Sequence, residues 1–307
     1  LADLDGLGTI AYQWNADGTV ITGAIGNSFT LTEANVGKKI TVTATYTDGH
    51  GTNESVVSAA TIGVANVNDA PTGTVTISGT PTQGQTLTAA NTLADLDGIG
   101  TIAYQWLADG TAITGAIGEN LTLIEAHVGK KITVTATYTD GHGTTENVVS
   151  AATSTVANLN DAPTGSIYIT GAATKGQILT VNTGTLSDAD GLNGEFTYQW
   201  QANEIDITGA TSSSYTLTND DVGKNIRVVA SYTDNHGTKE SVVSTATIAV
   251  ANVNDVPTGT VSISGTPTQG QTLTAANTLA DLDGLGTIAY QWNADGVAIT
   301  GAIGENL

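Results

Sequence analysis

The sequence contains no cysteine and no methionine. Disulfide scaffolds, thiol nucleophiles, thiolate-bound zinc and iron–sulfur clusters are thereby excluded together. Basic residues are scarce: 8 Lys and Arg stand against 29 Asp and Glu, for a formal net charge of -21. Such a chain repels nucleic acid and anionic membranes and attracts cations, so a divalent metal is the partner its charge points to. No apolar run approaches the roughly 20 residues that a membrane-spanning helix needs, so membrane insertion is not expected in this segment. Helical periodicity is missing as well.

What is present is repetition. LADLDGLG at residue 1 returns as LADLDGIG at 93, LSDADGLN at 186 and LADLDGLG at 279, at steps of 92, 93 and 93. Residues 71–98 recur at 257–284 with one difference, Thr76 against Ser262, and residues 1–18 recur unchanged at 279–296. A period this long describes units that each bury a small core of their own, unlike short solenoid repeats that lean on neighbours. The expected organisation is four repeats: 1–70 and 257–307, each incomplete at its outer end, and the full repeats 71–162 and 163–256, of which the latter has diverged.

Each repeat reads as short strands rich in Thr, Val, Ile and Tyr, punctuated by Gly, Asp, Asn and Pro. In KKITVTATYT, Ile40, Val42, Ala44 and Tyr46 alternate with Thr41, Thr43 and Thr45, the period of a strand with one face buried. Repeat three keeps the pattern with Ile226, Val228, Ala230 and Tyr232. Asp17-Gly18, Asp109-Gly110 and Asp295-Gly296 lie between apolar runs and predict tight hairpins. About seven strands per repeat, with turn signals every 8 to 12 residues, predict an all-β fold, a tandem array of immunoglobulin-like Greek-key β-sandwich domains. Trp14, Trp106, Trp200 and Trp292 are expected in the cores, on the face shared by Tyr12, Tyr104, Tyr198 and Tyr290, with Gln13, Gln105, Gln199 and Gln291 pointing outward.

The phrases Y-Q-W, D-G, I-T-G-A, V-G-K-x-I-x-V, Y-T-D-x-H-G and N-x-N-D-A/V-P together resemble the tandem immunoglobulin-like and cadherin-like repeats of very large bacterial surface adhesins. The resemblance spans the whole chain. It implies an extracellular protein that forms long stalks and binds calcium where domains meet.

The acidic residues gather accordingly. In an immunoglobulin topology the loop between the second and third strands and the loop between the last two lie at the domain's N-terminal end. The first loop supplies Asp3 and Asp5, Asp95 and Asp97, Asp188 and Asp190, and Asp281 and Asp283; the second supplies Asp48, Asp140 and Asp234. The preceding repeat delivers Asn68-Asp69, Asn160-Asp161 and Asn254-Asp255 to the same end. This linker resembles the cadherin interdomain motif, with Asn66, Asn158 or Asn252 in place of its first aspartate. Six to eight oxygens from carboxylates, amides and carbonyls suit calcium, whereas a single His per site and no sulfur disfavour transition metals. The competing reading is that Asp and Asn fill these loops because they cap turns. His50, His142 and His236, like Glu54, Glu146 and Glu240, are expected to be solvated.

Three functions are weighed. Catalysis is disfavoured because every candidate Asp, His and Ser recurs at repeat spacing, without one distinctive site. A carbohydrate-binding module needs exposed aromatic platforms, and the expected burial of Trp and Tyr leaves few. A mechanical extender needs only copies: a strand of about eight residues spans roughly 27 Å, so each unit would add on the order of 40 Å to a rod. Neighbouring repeats are the expected partners, with lateral self-association into a filament or sheath as a variant.

Overall fold

A computed structural model describes residues 1–193 and 195–307. The chain divides into two compact units, Leu1–Leu159 and Asn160–Leu307. Among the described residues there is no α-helix; antiparallel strands and three single turns of 3-10 helix carry the architecture. In the first unit, the second repeat has seven strands among the described residues: Val75–Ser78, Thr86–Asn91, Ala103–Ala108, Thr111–Ala112, Asn120–Thr122, Ile132–Thr139 and Thr145–Val149. The first, second and fifth form one sheet with the second in the middle. The seventh, sixth, third and fourth, in that order, form the other. The chain changes sheet between the second and third strands, returns for the fifth and crosses again to the sixth, which makes a Greek-key β-sandwich.

In the second unit the third repeat repeats this plan. Tyr168–Thr170, Ile178–Asn182 and Ser214–Thr216 form the three-stranded sheet, and Ile205–Asp206, Thr197–Ala202, Ile226–Thr233 and Lys239–Val243 the four-stranded one.

The alternation in the sequence becomes the core. Ile132, Val134, Ala136 and Tyr138 are all buried, and the intervening threonines face outward. They meet Leu87, Leu121 and Leu123 of the opposite sheet around Trp106, which has no exposed surface. Fully burying one such large apolar side chain contributes about 1.5–3 kcal/mol, so the nine in this cluster hold the repeat together. Trp200 fills the matching place among Leu179, Ile226 and Val228. Each indole Nε1 also donates to a loop carbonyl, at 2.8 Å to Gly118 and 2.9 Å to Ser212, so burial leaves no donor unmet.

Ala108 pairs with Thr111 across Asp109-Gly110, whose φ angles of 47° and 78° give the two-residue turn that the D-G signal predicts. Repeat three makes the same turn with Asn203 and Glu204 at 49° and 70°. The outward glutamines are a correction: Gln105 is half-buried, and its Nε2 donates to Trp106 O at 2.8 Å and Ile113 O at 3.0 Å. The side-chain amide adds a second donor to carbonyls that already accept the Ile113 and Ala116 amides, and so stitches the turn instead of facing water.

Candidate metal centre at the repeat joint

In each acidic loop the two aspartates divide their roles. Asp95 Oδ1 accepts the Asp97 amide at 2.9 Å, and its Oδ2 accepts the Tyr138 hydroxyl at 2.5 Å. Gly98, at φ 93°, closes the turn with its amide on Asp95 O at 3.2 Å. Asp188 likewise accepts the Asp190 amide at 2.9 Å and the Tyr232 hydroxyl. Asp281 takes the Asp283 amide at 2.8 Å. The first aspartate thus shapes its own loop. Burial, then the bond to Asp95 or Asp188, pushes the Tyr138 and Tyr232 hydroxyls above the usual phenol range.

The second aspartate faces the linker. Asp97 is 4% exposed; its Oδ2 accepts the Asp69 amide at 2.7 Å, and its Oδ1 is buried with no hydrogen-bond partner. Asp190, 2% exposed, repeats both features, with the Asp161 amide at 2.7 Å. Asp283 accepts the Asp255 amide at 2.8 Å.

The loop between the last two strands joins them. The Gly141 amide donates to Asp97 O at 2.8 Å, tying the two loops. Asp140 Oδ1 accepts the amides of His142 at 2.9 Å and Thr144 at 2.8 Å, and its Oδ2 is buried without a partner. Asp234 holds the His236 and Thr238 amides, both at 2.8 Å, and its Oδ2 is likewise without one. Burial raises the pKa of both carboxyls, but the amide donors outweigh it and hold them below the usual carboxylate range. Both therefore stand as anions at neutral pH. From the linker, Asn66 presents a buried Oδ1 that also lacks a partner.

The preceding repeat contributes a residue that the sequence reading missed. Glu33 opens the 3-10 turn Glu33–Asn35, which is locked by Asn35 Oδ1 accepting the Thr32 amide at 2.9 Å. Carboxylate oxygens of Glu33 and Asp97 and a ring nitrogen of His142 all lie within 4.8 Å of one another. Glu33 Oε1 is 3.1 Å from His142 Nε2. The signal was available: T-E-A-N and I-E-A-H precede V-G-K at the same repeat position.

Two expectations of solvated side chains need correction. His142 touches Glu33 of the previous repeat instead of standing free. Glu146 Oε1 accepts Asn68 Nδ2 at 2.7 Å, and Glu240 Oε1 accepts Asn160 Nδ2 at 2.7 Å. A strand-edge glutamate reaches the linker because the last two strands end at the joint. Asn254 instead donates to Asp255 O at 2.8 Å. His50 matches expectation, exposed and 3.8 Å from Asp5.

Native proteins rarely bury anionic oxygens without donors, because the desolvation cost is several kcal/mol per ion. Here Asn66, Asp97 and Asp140 withhold one oxygen each from the protein's own hydrogen bonds. These are hard oxygen donors, whose chemistry fits calcium.

No protein-family model matches the sequence, and no curated protein is similar to it. Solved structures do match in part. A Ca2+-stabilized adhesin with which an Antarctic bacterium reaches out and binds ice is 13% identical, with TM-score 0.31, over 89% of this chain and 75% of that one. A tetra-tandem repeat in the extending region of a large adhesion protein is 17% identical, with TM-score 0.29, over 90% of this chain and 80% of that one. A 1.5-MDa bacterial ice-binding adhesin, described for host cell surface retention, is 12% identical, with TM-score 0.28, over 82% and 89%.

Proposed function

We propose that this chain is part of a structural extender of an extracellular bacterial adhesin or surface fibre, an array of immunoglobulin-like and cadherin-like domains whose joints are stiffened by calcium. The observation that carries this reading is the set of buried oxygens without donors at the joint: Asn66 Oδ1, Asp97 Oδ1 and Asp140 Oδ2, with Asp190 Oδ1 and Asp234 Oδ2 repeating two of them. Glu33 and Asp69 complete the set from the upstream side. A bound cation neutralises the crowded carboxylates and links the linker to two loops of the next repeat, so a joint that now rests on single hydrogen bonds becomes stiff. The role is mechanical and non-enzymatic, since each candidate group recurs with the repeat and serves the joint. The buried Trp106 and Trp200 bear against a sugar-stacking platform.

The test compares the full chain in calcium and in chelator by thermal melting and small-angle X-ray scattering. Calcium should raise the melting temperature and lengthen the particle. Its affinity should lie at about 0.1–1 mM, the range of extracellular modules. Identical melting curves and scattering profiles in the two conditions remove the reading.

A further inference from the structure

The joint between the third and fourth repeats differs from the joint between the first and second at two matched places, Asn219 against Glu33 and the Asn252–Asp283 contact against the unpartnered oxygens of Asn66 and Asp97, and it also holds an ammonium; each feature lowers its demand for a cation. Lys175 stands where the second repeat has Gln83 and the fourth has Gln269. Gln83 Oε1 accepts the Leu159 amide at 3.1 Å. Lys175 carries an ammonium to the corresponding place in the linker after its own repeat, where Nζ pairs directly with Asp255 Oδ2 and lies 3.5 Å from Val253 O. The two side chains are only 14% and 28% exposed, so water screens the pair weakly. Asn219 occupies the position of Glu33 and donates from Nδ2 to Leu282 O at 3.2 Å, so a carboxylate has given way to a neutral group that bonds across the joint. Asp283 Oδ1 accepts Asn252 Nδ2 at 3.0 Å. At the earlier joint the matching Asp97 Oδ1 has no partner, nor has Asn66 Oδ1.

We propose that Lys175 is a tethered cation that clamps this joint, so that the array contains two classes of joint. Joints built like that at Asp97 depend on a divalent ion. The joint at Asp283 is neutralised by the protein's own ammonium and closed by side-chain amides, and it keeps its order when the ion is withdrawn. The inference rests on the cation reading of the Asp97 joint, but its test separates the two. An ammonium on a flexible stem is a compact charge that can take over part of a metal's electrostatic task without its coordination demands. Of the second, third and fourth repeats only the third carries a basic residue at this position, so the device marks one place among these three.

The absence of cysteine makes the experiment direct. Pairs of cysteines are introduced in the full chain at exposed, matched positions, Ser55→Cys with Thr76→Cys across the first joint and Ser241→Cys with Ser262→Cys across the third. After spin labelling, electron–electron dipolar spectroscopy reads the distance distribution in calcium and in chelator. In chelator the first pair should broaden about twofold, as a clamped linker becomes a free one, while the third pair stays narrow. Lys175→Gln, which installs the residue that the second repeat already uses, should make the third pair broaden in chelator, and Asp255→Asn should do the same from the other side. Lys175→Arg should restore the narrow distribution. A third pair that broadens in chelator without any substitution, or that stays narrow in chelator with Lys175→Gln, overturns the clamp. A first pair that ignores chelator overturns the cation reading, and with it the division into two classes of joint.

Discussion

The Asp69 amide donates to Asp97 Oδ2 at 2.7 Å while Asp97 Oδ1, buried, receives no hydrogen bond. One carboxylate thus seats the linker with one oxygen and keeps the other out of the protein's own hydrogen bonds. Asp97→Asn keeps an acceptor for the Asp69 amide and removes the charge. In chelator the variant should melt at or slightly above wild type, because crowding with Glu33 and Asp140 is relieved. In calcium the order should invert: an ion present at about 100 times its Kd stabilises by about 2.7 kcal/mol, and the variant should lose most of that gain at this joint. Melting curves of both proteins in both conditions check the crossing. A variant less stable by the same amount in each would show that Asp97 serves the loop alone.

Trp106 has no exposed surface, and its Nε1 bonds Gly118 O at 2.8 Å. Trp106→Ala should destabilise its repeat by about 3–5 kcal/mol through the cavity left behind. Denaturant unfolding followed by circular dichroism measures this, and an unchanged midpoint would contradict the core placement.

Much of this was legible because two-residue periodicity and D-G turns act locally. The burial of Ile132, Val134, Ala136 and Tyr138 follows from their alternation alone. The meeting of the Asp97 and Asp140 loops with the linker followed from connectivity. The division of labour between Asp95 and Asp97 was not legible, since the two look alike in D-L-D and only the reach of the Tyr138 hydroxyl, 43 positions away, distinguishes them. Glu33, Glu146 and His142 were missed or left in solvent for a related reason. Their partners lie in another repeat, and no local pattern records a contact across a joint.

The tyrosine–aspartate pair gives the fold an alkaline limit. The bond to Asp3, with burial, pushes the Tyr46 hydroxyl from 10.0 up to about 12. The folded state therefore holds this proton more tightly than the unfolded chain. The contribution is fully present below pH 10, the unfolded value, and is lost as pH rises through about 12. Asp140 and Asp234 act at the other end: their depressed carboxyls contribute above the usual value of 3.8 and lose that contribution as pH falls below it. Ultraviolet titration of the phenols together with melting temperature against pH should show alkaline unfolding coincident with phenol ionisation. Tyr46→Phe should shift the phenol titration by one late-ionising group.

The hairpin turns offer a test in which backbone strain is isolated from packing. Gly110 sits at φ 78°, and a Cβ added there would meet nothing within 4 Å, so Gly110→Ala costs only the left-handed backbone, about 1–2 kcal/mol. The third repeat already bears that cost, with Glu204 at φ 70° in the matching turn. Glu204 recovers part of it through Arg227, whose Nη1 lies 2.9 Å from Glu204 Oε1, but the glutamate is 75% exposed and such a pair is worth about 0–1 kcal/mol. Glu204→Gly should therefore relieve about 1–2 kcal/mol of strain and lose an ion pair worth about 0–1 kcal/mol, which leaves the variant level with the wild type or slightly more stable at low salt. Raising the salt screens the pair in the wild type and leaves the glycine variant untouched, so the variant should become the more stable protein. Melting temperatures of Gly110→Ala and Glu204→Gly across a salt series separate the two terms. A Glu204→Gly variant that stays less stable at high salt would place the stabilisation in the glutamate's own contacts and not in its charge.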